Sequence, residues 1–451
     1  MEPMLLSQIA GAVGGSLQGQ DRNVFGVSID SRSLKADQLF AAIKGPKFDG
    51  HDFLTAARQS GAAAALVSAH SSKDKPGLES FPLITVTDTT AALQQLAGHY
   101  RKKFSLKMAA VTGSNGKTTT KEMTARVLSQ KFRVLKNQGN LNNQYGIPLS
   151  LFNVEKEHQA AVMELGMSGL GEIAALCQMV LPELGIITNA GEGHTEFLKD
   201  VQNVARAKAE LLEALPDSGT AIINYDDGNL KAHAGKAKAR VLGFSIDSDS
   251  DYRAEDLDLT EQGIKFTLKG VRFELPVLGR HNIYNALAAA AAGEVWGIDL
   301  KSAALALADF QPASMRLEIM ETKKFKILSD CYNANPQSMQ AALAVLKNLP
   351  AQRKVAILGD MKELGQISSD RHRQTGRLAA QSAGMVLSAG PLAEEIHQGA
   401  KEQGIEARHF EDAYSLIQNL PGLLLPGDLI LVKASRSMHF EEVLDAIKRI
   451  Q

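Results

Sequence analysis

A glycine-rich turn between a predicted strand and a predicted helix carries the residues of clearest chemical potential in this sequence. The stretch Met108–Thr120 reads M-A-A-V-T-G-S-N-G-K-T-T-T, with an apolar run before the turn and helical apolar spacing after it. Glycine lets backbone N–H groups approach phosphate oxygens, and the helix N-terminus adds partial positive charge. Lys117 would reach the outer phosphates, and the Thr118 hydroxyl would sit on Mg²⁺. The residues predicted to bind a nucleoside triphosphate here are Gly113, Ser114, Asn115, Gly116, Lys117, Thr118 and Thr119.

One position departs from the full phosphate-loop pattern. Val111 stands where a glycine is usual, five residues before Gly116. An ordinary glycine turn before a helix is therefore the alternative interpretation. The strand before the turn and the helix after it favour the phosphate loop, because that context is what the motif requires.

Two later apolar runs end in side chains that suit a metal site or an active site. Ala160–Met163 is followed by Glu164, and Leu184–Ile187 is followed within a few residues by His194. Because ligands of open α/β sheets gather at the carboxyl ends of the strands, we expect both side chains to approach the phosphate loop. A carboxylate, the Thr118 hydroxyl and phosphate oxygens are suitable partners for Mg²⁺. The residue type leaves two roles open for His194, a metal ligand or a hydrogen-bonding residue.

Polar clusters lie at the ends of short apolar runs in the first 83 residues. They read Asp30-Ser31-Arg32 and Asp49-Gly50-His51. Since an arginine fork binds phosphate in a bidentate manner, a second phosphate-bearing ligand is one interpretation. Turn-forming side chains with a surface ion pair are the other, and the residues alone do not separate the two.

These residues must be positioned by several domains, because a chain of 451 residues is too long for one apolar core. Apolar runs alternating with helical patterns predict an α/β protein of three domains, over 1–83, 84–309 and 310–451. The first is a small α/β domain. The second contains a parallel sheet of the phosphate-loop ATPase type with added antiparallel strands, since Ile264–Leu268 and Val271–Leu275 alternate in polarity.

The third domain repeats a strand–helix pattern, which predicts a mostly parallel, doubly wound, Rossmann-like sheet. Its strands are followed by more polar groups than helix capping requires, namely Asp330, Asn333, Asp360, Lys433 and Arg436. We expect these groups to gather at one edge of the sheet, where such folds bind ligands.

Three further polar residues lie on predicted helices, and their residue types do not assign them a catalytic role. Lys208 lies in a helical pattern, and a lysine there is normally solvated, so physical reasoning gives it no special role. Asn282 and Asn285 lie near the start of an alanine-rich helix, where they would cap the helix or contact a base.

Composition excludes several classes of protein. Hydrophobic residues make up 44% and charged residues 22% of the chain, which is typical of a globular protein. The net charge of −1 lacks the basic footprint of a nucleic-acid binder. The amino terminus lacks the pattern of a signal peptide, and the longest apolar runs are too short to span a bilayer. With two cysteines at no metal-type spacing, we expect a cytoplasmic protein that binds no nucleic acid and does not insert into membranes.

Taken together, several motifs resemble those of the Mur ligases, the ATP-dependent amide-forming enzymes of peptidoglycan synthesis. The resemblance extends over essentially the whole chain and its three predicted domains. The motifs are T-G-S-N-G-K-T-T at 112–119, N-L-N-N at 140–143, E-L-G at 164–166, A-K-A-E around Lys208, G-R-H-N at 279–282, Y-N-A-N-P at 332–336, G-D-M-K-E-L-G at 359–365 and V-K-A-S-R-S-M at 432–438. The Y-N-A-N-P segment is similar to that of the family member that adds D-alanyl-D-alanine, and the D-N-P-R motif of the member adding the third residue is absent.

The resemblance implies roles for individual residues. Thr118, Glu164 and His194 would bind magnesium with a carbamylated Lys208, and Lys117, Lys208, His194 and Glu164 would be the catalytic set. Asn282 and Asn285 would lie near the adenine, and Arg316 and Asp330 would close onto the phosphates and ribose. The implied UDP-substrate residues are Ser31, Arg32, Asp49, Gly50, His51, Asn140, Asn142 and Asn143. The implied dipeptide residues are Tyr332, Asn333, Asn335, Lys433, Ser435 and Arg436.

The resemblance also implies a reaction and its participants. The 1–83 domain would bind the UDP-linked substrate, the 84–309 domain ATP, and the 310–451 domain the incoming amine while closing over ATP. With ATP and Mg²⁺, the chain would join UDP-N-acetylmuramoyl-tripeptide to D-alanyl-D-alanine through an acyl phosphate, and we expect a monomer. The alternatives are a Mur ligase that adds the third residue, a folylpolyglutamate synthase, and a nucleotide-binding switch without ligase chemistry.

Overall fold

The computed structural model describes residues 1–69 and 80–450. It contains three α/β domains, each built on its own sheet, which confirms the fold class expected from the sequence. Each of these three sheets contains parallel strands joined by helices, as the alternation of strand and helix patterns predicts.

The amino-terminal domain is a five-stranded sheet with order β2-β7-β6-β5-β4 in the described residues, plus a small β1-β3 pair. Strand β2 is the antiparallel member of the larger sheet. The last strand, β7, crosses the boundary predicted after residue 83, so the sheet of this domain extends three residues further. The elements are β1 Met4–Leu5, α1 Leu6–Ala12, β2 Ser16–Gln18, β3 Asn23–Val24, β4 Val27–Ser28, β5 Leu39–Ala41, a 3₁₀ turn Gly50–Phe53, α2 Leu54–Gln59, β6 Ala64–Ser68 and β7 Leu83–Val86.

The central domain is a nine-stranded sheet with order β16-β15-β14-β13-β12-β11-β8-β10-β9. Strands β8 to β14 run parallel, and the β14–β15–β16 segment forms the predicted antiparallel extension. The elements are α3 Thr89–Arg101, β8 Lys107–Thr112, α4 Lys117–Leu128, β9 Val134–Lys136, α5 Gly146–Leu151, β10 Ala160–Glu164, α6 Glu172–Val180, β11 Leu184–Ile187, α7 Thr195–Leu198, α8 Val201–Ala214, β12 Thr220–Asn224, α9 Gly228–Lys231, a 3₁₀ turn Ala234–Lys236, β13 Arg240–Ser245, β14 Tyr252–Leu259, β15 Ile264–Leu268, β16 Val271–Leu275, α10 His281–Val295 and α11 Leu300–Leu307.

The C-terminal domain is a six-stranded sheet with order β17-β18-β22-β19-β20-β21, parallel except for the β17 edge. The elements are β17 Glu318–Glu321, β18 Lys326–Ser329, α12 Pro336–Asn348, β19 Lys354–Gly359, a 3₁₀ turn Gly365–Ile367, α13 Ser368–Ala380, β20 Met385–Ala389, α14 Glu394–Lys401, β21 Glu406–Phe410, α15 Ala413–Leu423, β22 Leu429–Lys433, a 3₁₀ turn Arg436–Met438 and α16 Glu441–Arg449.

Local sequence explains why the central strands and helices form. Strand β8 is an almost continuous apolar run because helices cover both faces of its sheet. On one face, α10 buries the alanine run Ala286–Ala292 in the same apolar core as Met123 and Val127 of α4. Alanine favours the helix and lets the two helices approach closely. The helix that follows the glycine turn is thereby fixed against the sheet.

The amino-terminal and central domains share one apolar core. It extends from Met4 and Leu39 of the first domain to Met108 of the central domain. Tyr100, on the connecting helix α3, lies in the same core, and its hydroxyl donates a hydrogen bond of 2.7 Å to the carbonyl of Val154. These two domains are therefore joined by buried apolar surface.

The C-terminal domain joins the central domain mainly through polar contacts. Leu278 is the one central-domain residue in its buried apolar cores, as far as the described residues show. Arg371 pairs with both carboxylate oxygens of Glu192 at 2.7 Å, and the Thr195 hydroxyl donates to the carbonyl of Leu364 at 3.2 Å. The interface of the C-terminal domain is therefore mainly polar, whereas the amino-terminal and central domains are joined by buried apolar surface.

Within the two described ranges, every helix is too short or too polar to cross a membrane.

Candidate active site

A cavity of about 860 Å³ lies where the strand ends of the central domain face the C-terminal domain. Most of the residues proposed from the sequence line it. They are Ser114, Asn115, Gly116, Lys117, Thr118, Thr119, Asn140, Asn142, Asn143, Glu164, His194, Asn282, Asn285, Arg316, Asp330, Tyr332, Asn333, Asn335, Lys433 and Arg436. The other proposed residues are not part of its lining. They are Ser31, Arg32, Asp49, Gly50, His51, Gly113, Lys208 and Ser435.

The glycine turn has the shape of a phosphate loop. Gly116 adopts a φ of +80°, which a residue with a Cβ adopts only with strain, and α4 begins at the next residue. The Lys117 ammonium lies over the loop and donates to the carbonyls of Gly113 at 2.7 Å and Ser114 at 3.2 Å. Burial lowers the pKa of Lys117, and the carboxylate of Glu164 opposes that shift. A lysine held there can meet the charge of a phosphate chain.

Residues that follow β11 support the phosphate loop through hydrogen bonds. The Asn115 N–H donates to Oδ1 of Asn189 at 2.8 Å, and the Thr188 hydroxyl donates to the Asn115 carbonyl at 2.6 Å. The N–H of Gly191 donates to the Ser114 hydroxyl at 2.8 Å. Thr188 and Asn189 were not among the predicted site residues, although their position at a strand end was a usable signal.

Glu164 is brought to the loop by strand register. Its strand, β10, pairs in parallel with β8 so that Glu164 lies opposite Val111. The buried carboxylate accepts the Thr118 hydroxyl at 2.8 Å through one oxygen and the Asn142 amide at 2.8 Å through the other. The guanidinium of Arg316, from the C-terminal domain, donates to the Thr118 hydroxyl at 3.0 Å. The helix hydroxyl, the strand-end carboxylate and the C-terminal arginine therefore meet at one point.

His194 lines the cavity but has a partner from the other domain. It adopts a φ of +64°, and its Nδ1 lies 2.5 Å from Oε2 of Glu363. Contact with His194 lowers the pKa of the Glu363 carboxyl. In this structure His194 belongs to the domain interface as well as to the cavity.

Lys208 is buried on α8, in contrast to the solvated position that residue type alone favours. Desolvation lowers its pKa well below the usual value, and the nearby Lys117 charge lowers it further. Its ammonium has no hydrogen-bond or ion-pair partner in residues 1–69 and 80–450. Burial without a hydrogen-bond partner therefore favours the neutral amine form of Lys208 over the ammonium.

The start of α10 forms a polar wall of the cavity beside the phosphate loop. Asn285 accepts the Thr120 hydroxyl at 3.0 Å and donates to Asn282 at 2.8 Å. The neighbouring Tyr284 hydroxyl donates to Asp226 at 2.9 Å. Although burial raises it, the pKa of Asp226 is lowered overall by hydrogen bonds from the backbone of the β13–β14 turn. Tyr284 and Asp226 line the cavity and were not predicted.

His281 also lines the cavity, beside the C-terminal domain. Burial and the nearby Lys433 charge lower its pKa to about 4. The ring is therefore neutral near neutral pH, and it can offer an unprotonated nitrogen to a ligand.

The C-terminal strand ends contribute a second group of polar residues. Lys433 is buried and donates to the Asp330 carboxylate at 2.6 Å and to the Asn333 carbonyl at 2.9 Å. Asn335 caps α12, because its side chain accepts the Ser338 N–H at 2.9 Å. These bonds fix the turn between β18 and α12 over the cavity.

The three remaining predicted residues of this group, Tyr332, Arg436 and Ser435, differ in their contacts. The Tyr332 ring lies under the guanidinium of Arg316, at 4.1 Å, with Arg436 at 5.9 Å from it. Ser435 is buried outside the cavity lining, and its hydroxyl accepts the Lys362 N–H at 2.9 Å. Ser435 therefore supports the loop rather than facing the cavity.

The predicted residues of the amino-terminal domain are occupied with one another. Arg32 is highly exposed and forms a bidentate pair with Asp30, whose pKa this contact lowers to about 2. His51 is buried, with Nδ1 at 2.6 Å from Asp49 and Nε2 accepting the Ser68 N–H at 2.9 Å. The ring of His51 thus links the loop of Asp49 to the end of β6, while the Arg32 guanidinium faces solvent.

The oxygen donors at the phosphate loop suit Mg²⁺. Among the described residues no group of three or more His, Cys, Asp or Glu side chains is arranged to hold a metal ion. Mg²⁺ prefers hard oxygen ligands, keeps several waters, and is usually bound by one or two carboxylates together with substrate phosphates. The hydroxyl of Thr118 beside the carboxylate of Glu164 is such a donor pair.

Comparison with known proteins follows the same division into three domains. The chain matches the Mur ligase family catalytic domain over residues 23–101, the Mur ligase middle domain over 111–293, and the Mur ligase glutamate ligase domain over 315–436. The UDP-N-acetylmuramoyl-tripeptide–D-alanyl-D-alanine ligase of Escherichia coli is 39% identical over 99% of each chain.

Solved structures of similar proteins agree over the full length. A crystal structure of MurF from Acinetobacter baumannii superposes with a TM-score of 0.91, at 31% identity over 99% of each chain. A MurF ligase from Thermotoga maritima, in complex with ADP, gives a TM-score of 0.82 at 27% identity over 94% of this chain and 97% of that one.

The geometry of the loop predicts the effect of a single methyl group. A Cβ at Gly116 would lie 2.5 Å from Oδ1 of Asn285, in addition to the strained φ. We expect Gly116→Ala to weaken ADP binding at least about tenfold, since left-handed strain alone costs about 1–2 kcal/mol. Isothermal titration calorimetry would measure the change.

Gly171→Ala is the matched control. Gly171 has a φ of +83° and also precedes a helix, but a Cβ there meets nothing within 4 Å. Gly171→Ala introduces the same kind of backbone strain as Gly116→Ala but no steric clash, and residue 171 lies outside the phosphate loop. Equal ADP affinity for the wild type and both variants would contradict the assignment of the loop.

Proposed function

This chain belongs to the Mur ligase family, and we propose that it joins D-alanyl-D-alanine to UDP-N-acetylmuramoyl-tripeptide at the expense of ATP. The product is the UDP-linked pentapeptide used in peptidoglycan synthesis, with ADP and phosphate released. The observation that carries the proposal is one cavity that combines a phosphate loop, a carboxylate–hydroxyl pair and the polar strand ends of the C-terminal domain. The full-length similarity to ligases of that specificity supports it.

The reaction needs activation of a carboxylate, because a carboxylate is a poor acyl donor in water. The terminal carboxylate of the tripeptide attacks the γ-phosphorus of ATP, which gives an acyl phosphate and ADP. The amine of D-alanyl-D-alanine then attacks the acyl carbon, and the tetrahedral species collapses as phosphate leaves. The protein contributes positioning and charge stabilisation to both steps.

The phosphate loop supports the first step. The backbone N–H groups of residues 116–118, at the start of α4, would face the phosphates, and Lys117 would stabilise charge on the transferring group. Arg316, already at the Thr118 hydroxyl, adds a cation from the C-terminal domain. Thr118 and Glu164 would hold Mg²⁺, which neutralises phosphate charge when it is bound.

The state of Lys208 supports its proposed carbamylation. Only a neutral amine attacks CO₂, and burial favours that form by lowering the pKa of Lys208. The carbamate would turn a potential cation near Lys117 into an anion, which relieves the repulsion between them. An anionic oxygen at this position would serve with Glu164 and His194 as a hard ligand for a second Mg²⁺.

Substrate roles follow the domains. We assign the uridine diphosphate to the amino-terminal domain, with Arg32 as the phosphate fork and Asp49–His51 as a shaped loop. Asn140, Asn142 and Asn143 extend that substrate's path toward Glu164. Asn282 and Asn285 receive the adenine, with Asp330 near the ribose.

The amine substrate belongs to the C-terminal domain. The turn at Tyr332–Asn335 and the residues Lys433 and Arg436 frame its pocket, and Ser435 supports that frame. We place the reaction in the cytoplasm, where ATP and UDP-linked precursors are present. One chain supplies both sides of the cavity, so we propose a monomer as the working unit.

Phosphate release tests the proposal directly. The purified chain is assayed with ATP, Mg²⁺ and UDP-N-acetylmuramoyl-tripeptide, with and without D-alanyl-D-alanine, and the pentapeptide is identified by mass spectrometry. We expect sustained phosphate release only with both substrates, and none with Lys117→Ala. Acceptance of glutamate in place of the dipeptide would favour a folylpolyglutamate synthase, and acceptance of a third amino acid on a UDP-dipeptide would favour the other Mur ligase. Hydrolysis indifferent to any acceptor would indicate a nucleotide switch.

Lys208 offers a prediction that does not depend on activity alone. The chain is equilibrated with ¹³C-bicarbonate, and a carbamate carbon resonance is expected for the wild type and not for Lys208→Ala. Turnover should fall when dissolved CO₂ is removed and recover when it is restored. Lys238→Ala, which removes an exposed lysine, is the control and should keep the resonance. A wild type with no carbamate signal at full activity would contradict the proposal.

The two substrate pockets predict opposite kinetic effects. Arg32→Ala should raise the KM for the UDP-linked substrate about tenfold or more, since loss of a charge-assisted bond costs about 1.5–3 kcal/mol, and leave that for D-alanyl-D-alanine unchanged. Asn333→Ala should do the reverse. Steady-state titrations of each substrate measure both constants.

Arg22→Ala is the control for loss of charge in the same domain. Arg22 is exposed, and its side chain forms no hydrogen bond or ion pair within the described ranges. It should leave both constants unchanged. Equal shifts of both constants in Arg32→Ala and Asn333→Ala would overturn the division into two pockets.

A further inference from the structure

Gln337 occupies a notch between the phosphate loop and the residues that follow β11. Its Oε1 accepts a hydrogen bond from the Asn115 amide at 3.1 Å. A Cβ at Gly191 would lie 1.8 Å from that same oxygen, so the absence of a side chain at Gly191 is what leaves room for the amide group. Gln337 belongs to the C-terminal domain, whereas both walls of the notch belong to the central domain.

Every polar atom of Asn115 has a hydrogen-bond partner in this structure. Its N–H donates to Asn189, and its carbonyl accepts the Thr188 hydroxyl. Its side-chain oxygen accepts the Asn335 amide at 2.8 Å, while its side-chain nitrogen donates to Gln337. The backbone of Asn115 is therefore part of the phosphate loop, and its side chain is fixed by the C-terminal domain.

The position of Gln337 on α12 connects this contact to the amine side of the cavity. Helix α12 begins at Pro336, and the turn Asn333–Asn335 precedes it directly. Asn335 caps the helix, so the turn and the first helical residues move as one piece. A shift of that turn carries Gln337 into or out of its notch.

We propose that Gln337 is a positioning residue that couples the seating of the C-terminal domain to the shape of the phosphate loop. When the domain is seated, Gln337 holds Asn115 and, through it, the loop in the arrangement that serves phosphoryl transfer. When the domain is withdrawn, the loop binds nucleotide without this restraint. The inference rests on the proposed ligase function, and it assigns a role to a residue that contacts the loop rather than the reacting atoms.

The proposal predicts a division between binding and turnover. Nucleotide binds the loop before the domain is seated, so Gln337→Ala should leave the KM for ATP and the affinity for ADP unchanged. Turnover takes place only in the seated arrangement, so kcat should fall about three- to tenfold, the range expected for loss of one neutral hydrogen bond.

Gly191→Ala should reproduce this result by a different route, because the added methyl group expels the Gln337 amide from the notch. Gly191 does not have a positive φ, so alanine introduces no backbone strain there. The double variant Gly191→Ala with Gln337→Ala should match Gln337→Ala alone, since the shortened side chain no longer meets the methyl group. Gln340→Ala, one turn further along α12, is the matched control and should behave as the wild type.

Steady-state kinetics of ligation and calorimetry with ADP measure these variants, with melting temperatures to verify folding. A wild type that does not ligate would refute the proposed function itself. A ligating wild type with unchanged kcat in Gln337→Ala would overturn the coupling role and leave the function intact. A raised KM for ATP in Gln337→Ala would identify a nucleotide contact instead. Multiplied losses in the double variant would show that Gly191 acts independently, which would also overturn the proposal.

Discussion

The parallel register of three central strands is the constraint on which the site depends. Strand β8 leads into the phosphate loop, and its neighbours β10 and β11 pair with it so that Glu164 lies opposite Val111 and Ile187 opposite Thr112. A slip of one residue in either pair would turn these strand ends to the other face of the sheet. With the register fixed, the carboxylate meets Thr118 and the residues after Ile187 support the loop. The catalytic arrangement is therefore a consequence of strand pairing.

Positive charge is concentrated at the phosphate loop, as binding of an anionic ligand requires. Lys117 and Lys208 are desolvated close together, and Arg316 reaches the same loop from the other domain. Desolvation disfavours the ammonium form of Lys117, while a bound polyphosphate would stabilise that form by supplying negative charge. Two cations, Lys117 and Arg316, therefore lie at the loop beside the single carboxylate of Glu164. This imbalance is the electrostatic counterpart of the loop geometry, because both favour an anionic ligand.

Sequence reasoning was most successful where chemistry depends on local spacing. The phosphate loop, the strand-end position of Glu164 and the three-domain α/β class follow from short patterns, and the fold class is confirmed. Residues assembled by tertiary contact were missed, among them Asp226 and Gln337, because nothing local marks them. Lys208 shows the same limit, since its helix pattern indicates a solvated lysine and only the packing of α8 buries it. The strand at Leu83–Val86 was divided by the predicted boundary because a short apolar run does not reveal which sheet it will join.

The two domain interfaces differ in a way that suits a two-step reaction. Separation of the amino-terminal and central domains would expose the apolar core they share, which costs about 25 cal/mol for each Å² brought into water. The C-terminal domain is held instead by ion pairs and hydrogen bonds, which exchange with water at a small net cost per contact. The domains assigned to the UDP-linked carboxylate and to ATP are thus fixed relative to each other, so the carboxylate and the phosphate loop would belong to one rigid body. The domain assigned to the amine is the one that leaves and returns at low cost. Its return would bring the nucleophile, Arg316 and Gln337 to the loop together, so that phosphoryl transfer, attack on the acyl phosphate and exclusion of water would all follow from the same contact.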